Sequence, residues 1–210
     1  MRVVALSVSI FLLGLIRPSF AQSAVPPDVL AKRVTDEVIA ILRADPNAYT
    51  GNPAKVVELI ETKVLPHFNF VRMTQLAVGK NWRQASAQQR EALTGHFRTL
   101  LVRTYATAFT AYRDQTISYR PLRMRPEDQD VVVRSQIIQQ GGPPVGVDYS
   151  MEKTANGWKV YDVAIEGVSL VQNYRSTFNS EVQRGGIDGL IGALEAKNRQ
   201  LAQKTQGAGQ

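Results

Sequence analysis

The stretch NGWKVYDVAIEGVSLVQ, residues 156–172, decides the fold. Asn156-Gly157 is a strong hairpin turn signal. Trp158 to Glu166 then reads as a strand. Ser169-Leu170-Val171-Gln172 is a capping box, so a helix opens almost at once after that strand. Upstream, Thr116 to Met124, Asp130 to Gln139 and Val145 to Lys153 read as three more strands, with Gly141-Gly142-Pro143-Pro144 turning between the second and third. The connections are short, which predicts an antiparallel meander of four strands. In regular strands alternate residues face opposite ways. Val131 and Val133 then face away from Val132. Trp158 and Val160 face away from Tyr161, Val163 and Ile165. Parts of this sheet should therefore be covered on both faces.

The chain before the sheet is helical in pattern. Pro27 to Ala44 repeats Leu30, Val34, Val38, Ile41 and Leu42 on one face, and Asp45-Pro46-Asn47 ends it. Asn52-Pro53 opens a second helix with the stripe Val57, Ile60 and Val64, stopped by Pro66. Asn69 is placed to cap a third, with Phe68 and Met73 as a hydrophobic staple and Gly79 at its end. Ser86 to Gln89 is another capping box and starts the longest helix, to about Tyr112. Its stripe is Leu93, Phe97, Leu100, Leu101, Thr104 and Ala108, widened by Tyr105, Phe109 and Tyr112. That is more apolar width than one packing partner needs. After the sheet, Leu170, Tyr174 and Phe178 form one stripe beside Val171 and Val182. Gly185-Gly186 breaks it, and Ile187, Leu190, Ile191, Leu194 and Leu201 carry a last helix. The expected class is α+β: a helical part over about 27–112, a sheet over about 116–166 and closing helices over about 169–203.

Residues 1–21 read as a secretory leader. Arg2 precedes the apolar run Val3 to Ile16, and Ser19-Phe20-Ala21 supplies small residues at a cleavage site after Ala21. The rest, 22–205, reads as one domain. The net charge of +7 falls to +5 without the leader, which removes Arg2 and Arg17 and no acid. A basic exported chain suits anionic lipid head groups or acidic proteins, and nucleic acid is a poor partner outside the cytoplasm. There is no cysteine, which excludes disulfides, thiol catalysis and thiolate metal sites. Of the two histidines, His96 reads as a surface residue near Arg103 and His67 as a loop residue. Two histidines so far apart do not make a metal site. Asp162 and Glu166 could form a carboxylate pair, but Arg175 is the better expected partner for one of them.

The feature left over is surplus apolar surface. Leu101, Tyr105 and Phe109 on the long helix, Val133, Val145, Val147 and Tyr149 on the strands, and Val168, Val171, Tyr174 and Phe178 at the strand-to-helix junction could line an internal cavity. By residue type alone ordinary core is the favoured reading of all of them.

A resemblance bears on that choice. Leu65-Pro66-His67-Phe68, Leu76-Ala77-Val78-Gly79, Trp82, Ala85 to Arg90 and Thr104-Tyr105-Ala106 resemble the first half of one family. Trp158 to Val163, Glu166-Gly167-Val168-Ser169-Leu170-Val171, Asn173-Tyr174-Arg175 and Gly186-Ile187-Asp188-Gly189-Leu190 resemble its second half. The family is the periplasmic phospholipid-binding MlaC proteins, also called toluene-tolerance auxiliary proteins, and the match spans about residues 27 to 203. The resemblance implies an NTF2-like sheet joined to a helical part, with a lipid cavity between sheet and helices. It implies a carrier that shuttles phospholipid between an outer-membrane lipoprotein/porin complex and an inner-membrane ABC transporter, with no cofactor beyond the bound lipid. Two lipid chains of about fifteen methylenes each, exposed to water, would cost roughly 24 kcal/mol at about 0.8 kcal/mol per methylene. A carrier must offset most of that by burial. A branch of the family is associated with hopanoid lipids. NTF2-like folds also host isomerases and dehydratases, for which Asp162 with His67 would be the pair. Asn69 departs from the family, where an aspartate is expected.

Overall fold

The computed structural model describes residues 25–49, 52–110, 115–139 and 141–207. Tyr112 and the leader lie outside the described residues. Helices α1 (Pro27–Ala44), α2 (Pro46–Tyr49), α3 (Pro53–Leu59), α4 (Phe70–Val78) and α5 (Ala87–Thr110) precede the sheet. The sheet runs β1 (Thr116–Tyr119), β2 (Asp130–Ile138), β3 (Val145–Thr154), β4 (Gly157–Ile165) and β5 (Val168–Ser169), in that spatial order and antiparallel throughout. Helix α6 (Leu170–Gly207) closes the chain and is interrupted at Gly185 and Gly186, where Gly186 has φ +67°.

The fold is α+β, as the sequence predicts, with differences of detail. There are five strands, not four. Ile165 pairs with Val168 across a two-residue turn whose residues, Glu166 and Gly167, both have positive φ (50° and 77°). That is the twist of a type I′ turn, which matches adjoining strands. The first strand stops at Tyr119, just before Pro121, whose nitrogen has no hydrogen to donate to the ladder. The β3–β4 turn is displaced by one residue: Thr154 pairs with Gly157, and Gly157 itself takes the positive φ of +92°. The second helix loosens into a wider, π-type turn at Ile60–Val64, so Val56, Leu59 and Ile60 are its buried residues rather than the expected Val57, Ile60 and Val64.

The larger difference lies in β4. Met151 pairs with Val160 and Ser150 with Asp162, so Tyr161 is an extra residue, a β-bulge. Beyond it Val163 lies opposite Tyr149 and Ile165 opposite Val147. Directly paired residues share a face. The bulge therefore returns Val163 and Ile165 to the face that carries Trp158 and Val160, and the expected opposition between these pairs is overturned. One face, called inner below, holds Ile117, Tyr119, Val131, Val133, Ser135, Ile137, Val145, Val147, Tyr149, Met151, Val163 and Ile165. The outer face holds Arg134, Gln136, Asp148, Ser150 and Glu152, with Val132 and Ile138 exposed among them.

Helices cover the sheet unequally. Leu30, Ala31 and Val34 of α1 pack on Val133, Met151, Trp158 and Val160. The largest apolar cluster lies beside β4, where α4, α5 and α6 meet around Met73, Leu93, Phe97, Phe178 and Leu190. Phe97 receives Tyr174 and Phe178 edge-on, with centroids 5.2 and 5.1 Å away. Two smaller clusters join α1 and α3 to α5, and Phe109 touches both.

A polar joint fastens the helical part to the sheet. The Asn69 backbone amide donates to the Val160 carbonyl at 2.8 Å along the free edge of β4. The Asn69 side chain accepts from the Arg72 amide at 3.1 Å, the expected cap, and donates to Glu152 at 2.7 Å. Arg72 also bonds Glu152 and reaches Asp130 at 2.8 Å, with its guanidinium 3.7 Å over the Tyr161 ring. An asparagine suits this position because its amide oxygen caps α4 while its NH₂ donates to a carboxylate, which an aspartate could not do. Asn69→Asp keeps the cap but sets two carboxylates face to face. It is expected to lower stability by about 1–2 kcal/mol in urea denaturation at neutral pH. An unchanged midpoint would show that the Glu152 contact contributes nothing.

Candidate functional site

The inner face is divided along its length. Toward the β3–β4 turn it is packed by α1. At the other end Ile117, Ile137, Val145, Val147, Ile165 and Val168 share the face, and among the described residues they join none of the apolar clusters. Val168 is 59% exposed and Ile165 36%. Val147 is buried (7% exposed), and the apolar surface left in water on this half-face costs about 25 cal/mol per Å².

Between the two halves stands a small set of hydroxyl groups. The Tyr119 hydroxyl donates to Thr35 Oγ1 at 2.8 Å and lies 3.3 Å from the Ala31 carbonyl oxygen. Ser135 is buried and donates to the Val147 carbonyl at 2.9 Å. Tyr149 sits opposite Val133 in the middle of the face. Burial raises the pKa of its hydroxyl, and hydrogen bonding with Ser135 and Thr35 acts against that rise. Tyr149 is partly buried.

The eleven residues expected from sequence fall into three groups. Leu101, Val171 and Phe178 are buried in the cluster of α4, α5 and α6, with Tyr105 and Tyr174 on its margin. Burial, the nearby Tyr174 and a hydrogen bond to it all raise the Tyr105 pKa. Val133 is buried under α1, with Tyr149 partly buried beside it, and Phe109 links the two smaller clusters. Val145, Val147 and Val168 lie on the half-face outside the clusters, with Val147 buried, Val145 partly buried and Val168 exposed. Sequence reasoning missed Ile117, Ile137 and Ile165 on that half-face and the hydroxyls of Thr35, Tyr119 and Ser135. The alternation in β1 and β2 carried the signal for Ile117 and Ile137. The bulge at Tyr161 hid Ile165.

The carboxylates are otherwise engaged. Asp162 accepts from the Ser169 hydroxyl at 2.5 Å and from the Val171 amide at 3.2 Å, so it caps α6. The expected bond to Arg175 is replaced by this one, since a carboxylate at a helix N-terminus meets unpaired amides. Glu166 accepts from the Gly146 amide and holds its turn against the start of β3. His67 is governed by burial first, then by Lys159 and Arg33, which lower its pKa, and by Glu37, which raises it. Asp162 is not among its partners. His96 faces Glu195 at 3.3 Å, while Arg103 bonds the Asn198 carbonyl at 2.5 Å. Among the described residues no group of three His, Cys, Asp or Glu could hold a metal.

These observations define a class: an α+β protein with an antiparallel meander whose inner face is packed by a helix at one end and, among the described residues, joins no apolar cluster at the other. Comparison with known proteins agrees. The MlaC protein family matches residues 32–196, and the chain belongs to that family. It is 26% identical over 172 residues to the Haemophilus influenzae intermembrane phospholipid transport system binding protein MlaC, covering 80% of each chain. It is 24% identical over 192 residues to the Pseudomonas putida toluene tolerance protein ttg2D, covering 88% of each. A solved structure of a phospholipid-binding protein from Ralstonia solanacearum, in complex with a phospholipid, superposes with a TM-score of 0.79. It is 41% identical and covers 85% of this chain and 99% of its own.

The tyrosines give a test of the buried hydroxyl set. Burial raises the pKa of both Tyr119 and Tyr149. The folded form then holds protons that the unfolded form sheds above about pH 10, so stability is complete below that pH and falls as pH rises past it. The slope is expected to approach about 1.4 kcal/mol per pH unit for each tyrosine held protonated. Tyr119→Phe/Tyr149→Phe should flatten it in denaturant titrations across the alkaline range. An equal slope in the variant would place both hydroxyls in free exchange with solvent.

Proposed function

We propose that this chain is a periplasmic phospholipid carrier that holds acyl chains against the inner face of its sheet. The single observation that carries the reading is the half-face of Ile117, Ile137, Val145, Val147, Ile165 and Val168, which is apolar and, among the described residues, joins none of the apolar clusters. The phospholipid named for the Ralstonia solanacearum structure and the transport role named for the Haemophilus influenzae relative support it.

Acyl chains enter tail first and replace the missing protein neighbours. Tyr105, Phe109 and Tyr174 face them from α5 and α6, while Leu101, Val133, Val171 and Phe178 back the wall. The head group stays near Val168, at the wet end. Loose head-group contact makes the carrier tolerant of phospholipid type. No cofactor takes part. Loading and release follow docking, first on an outer-membrane lipoprotein/porin complex and then on an inner-membrane ABC transporter. Docking must bias the cavity between closed and open forms, since a ligand leaves only when its relative affinity changes. No helix among the described residues is long and apolar enough to cross a membrane, which suits a carrier moving between two of them. The leader read at residues 1–21 would deliver it there.

Native mass spectrometry of protein purified without detergent tests this. The expected result is a bound mass equal to one or two phospholipids. Val168→Glu or Phe109→Glu should reduce the bound fraction at least tenfold. A ligand-free wild type, carefully handled, would overturn the reading.

A further inference from the structure

Two clefts, of about 490 and 410 Å³, meet at Gly79, Lys80 and Arg175. One runs along the start of α6, past Gln172, Ser176 and Asn179. The other follows the end of α4 and the turn after it, past Gln75, Leu76, Trp82 and Arg83. Gly79 ends α4 with φ +63°, and its lack of a side chain lets Arg175 lie close, since a β-carbon there would sit 3.3 Å from Arg175 Nε. The charge in these clefts has one sign. Lys80, Arg83 and Arg175 line them, and no Asp or Glu does. All three cations are exposed, and among the described residues none of them belongs to an ion pair. Asp162, at the foot of α6, is engaged by Ser169 and Val171 and lines neither cleft. The neutral groups add donors. Asn179 Oδ1 accepts from Asn81 at 3.2 Å and Gln172 Oε1 from Arg175 at 3.5 Å, so these amides have their NH₂ groups to offer.

The walls decide which kind of anion fits. Val78 and Trp82 are buried and Leu76 is partly buried. None of the exposed large apolar side chains among the described residues lines either cleft. A bilayer would therefore meet charge with nothing to insert beneath its head groups. A single small ion would fill neither cleft, since each has the volume of a site for a drug-sized ligand. A polypeptide carrying several carboxylates matches both features. It can pass from one cleft into the other and meet a cation at each step, with arginine forks suited to carboxylates. We propose that the paired clefts around Gly79, with Lys80, Arg83 and Arg175, are a docking surface for an acidic segment of a partner protein. They open beside the start of α6, the helix that follows the exposed Val168. The proposal gives a face and a chemistry to the docking that the carrier reading leaves unplaced, and it rests on that reading only for what the partner then does.

The test is fluorescence anisotropy of a labelled peptide of alternating Glu and Ser, titrated with the full chain, against the same peptide with Gln in place of Glu. Binding of the acidic peptide only is expected, weakening with salt. An exposed ion pair contributes about threefold. Lys80→Gln/Arg83→Gln/Arg175→Gln should therefore bind about thirtyfold more weakly. A variant losing the same charge farther along α6, Arg184→Gln/Lys197→Gln/Arg199→Gln, should bind as the wild type does. If the triple cleft variant fails to fold, Lys80→Gln alone should lose about threefold. No binding of the acidic peptide, equal binding of the glutamine peptide, equal loss in the α6 variant or wild-type binding by the cleft variant would each overturn the proposal. So would displacement of the peptide by inorganic phosphate at constant ionic strength, or binding to phosphatidylglycerol vesicles that the cleft variant loses. Native mass spectrometry of the same samples separates the two readings. A chain that binds the peptide but holds no lipid contradicts the carrier reading alone, and one that holds lipid but ignores the peptide contradicts this proposal alone.

Discussion

One extra residue in β4 governs the rest of this structure. A strand's side-chain period is two, so a single inserted residue changes the face of everything beyond it. Tyr161 is that residue. Without it Val163 and Ile165 would join Arg134 and Asp148 on the outer face. With it the apolar residues of β4 fall on the inner face. The sheet becomes one-sided, and the question of what covers its inner face becomes sharp.

The protein covers half of it. Helix α1 lays Leu30, Ala31 and Val34 over Val133, Met151, Trp158 and Val160, and the hydroxyls of Thr35, Tyr119, Tyr149 and Ser135 mark where this packing stops. Among the described residues, no side chain of α4, α5 or α6 shares an apolar cluster with the other half. These helices spend their apolar width on each other around Phe97, beside β4 rather than across the sheet. Asn69, Arg72 and Glu152 hold that bundle at the edge of the sheet by bonds short and directional enough to fix its position. Attachment at the edge, together with a half-face that joins no apolar cluster among the described residues, is the geometry from which a guest is proposed. The carrier reading follows from that geometry and from the kinship with MlaC proteins, and not from any reactive side chain.

Most helices were legible in the sequence because their signals are local. The capping box at Ser86 is present in full, with Gln89 and Ser86 bonding each other's amides at 3.1 and 3.0 Å. The Asn69 cap and the Gly185-Gly186 break are also where their residue types place them. What was not legible is non-local. The bulge shows only in the register of β4 against β3, and nothing in residues 158–165 alone announces it. The role of Asp162 was misassigned for a related reason: its partner is the start of the next helix, reached across β5, a strand too short to leave a periodic signal. Among the candidate residues, size and apolarity marked Val171 and Phe178 as readily as Val145 and Val147. Only the packing distinguishes a side chain buried among its own kind from one facing space.

The most direct test of that distinction is a set of nuclear Overhauser measurements on lipid-loaded protein with labelled isoleucine and valine methyls. Acyl methylenes should give cross-peaks to Ile117, Ile137, Val145 and Val147, and none to Val132 or Ile138 on the outer face. Acyl contacts confined to the outer face, or absent from the inner half-face, would contradict the account.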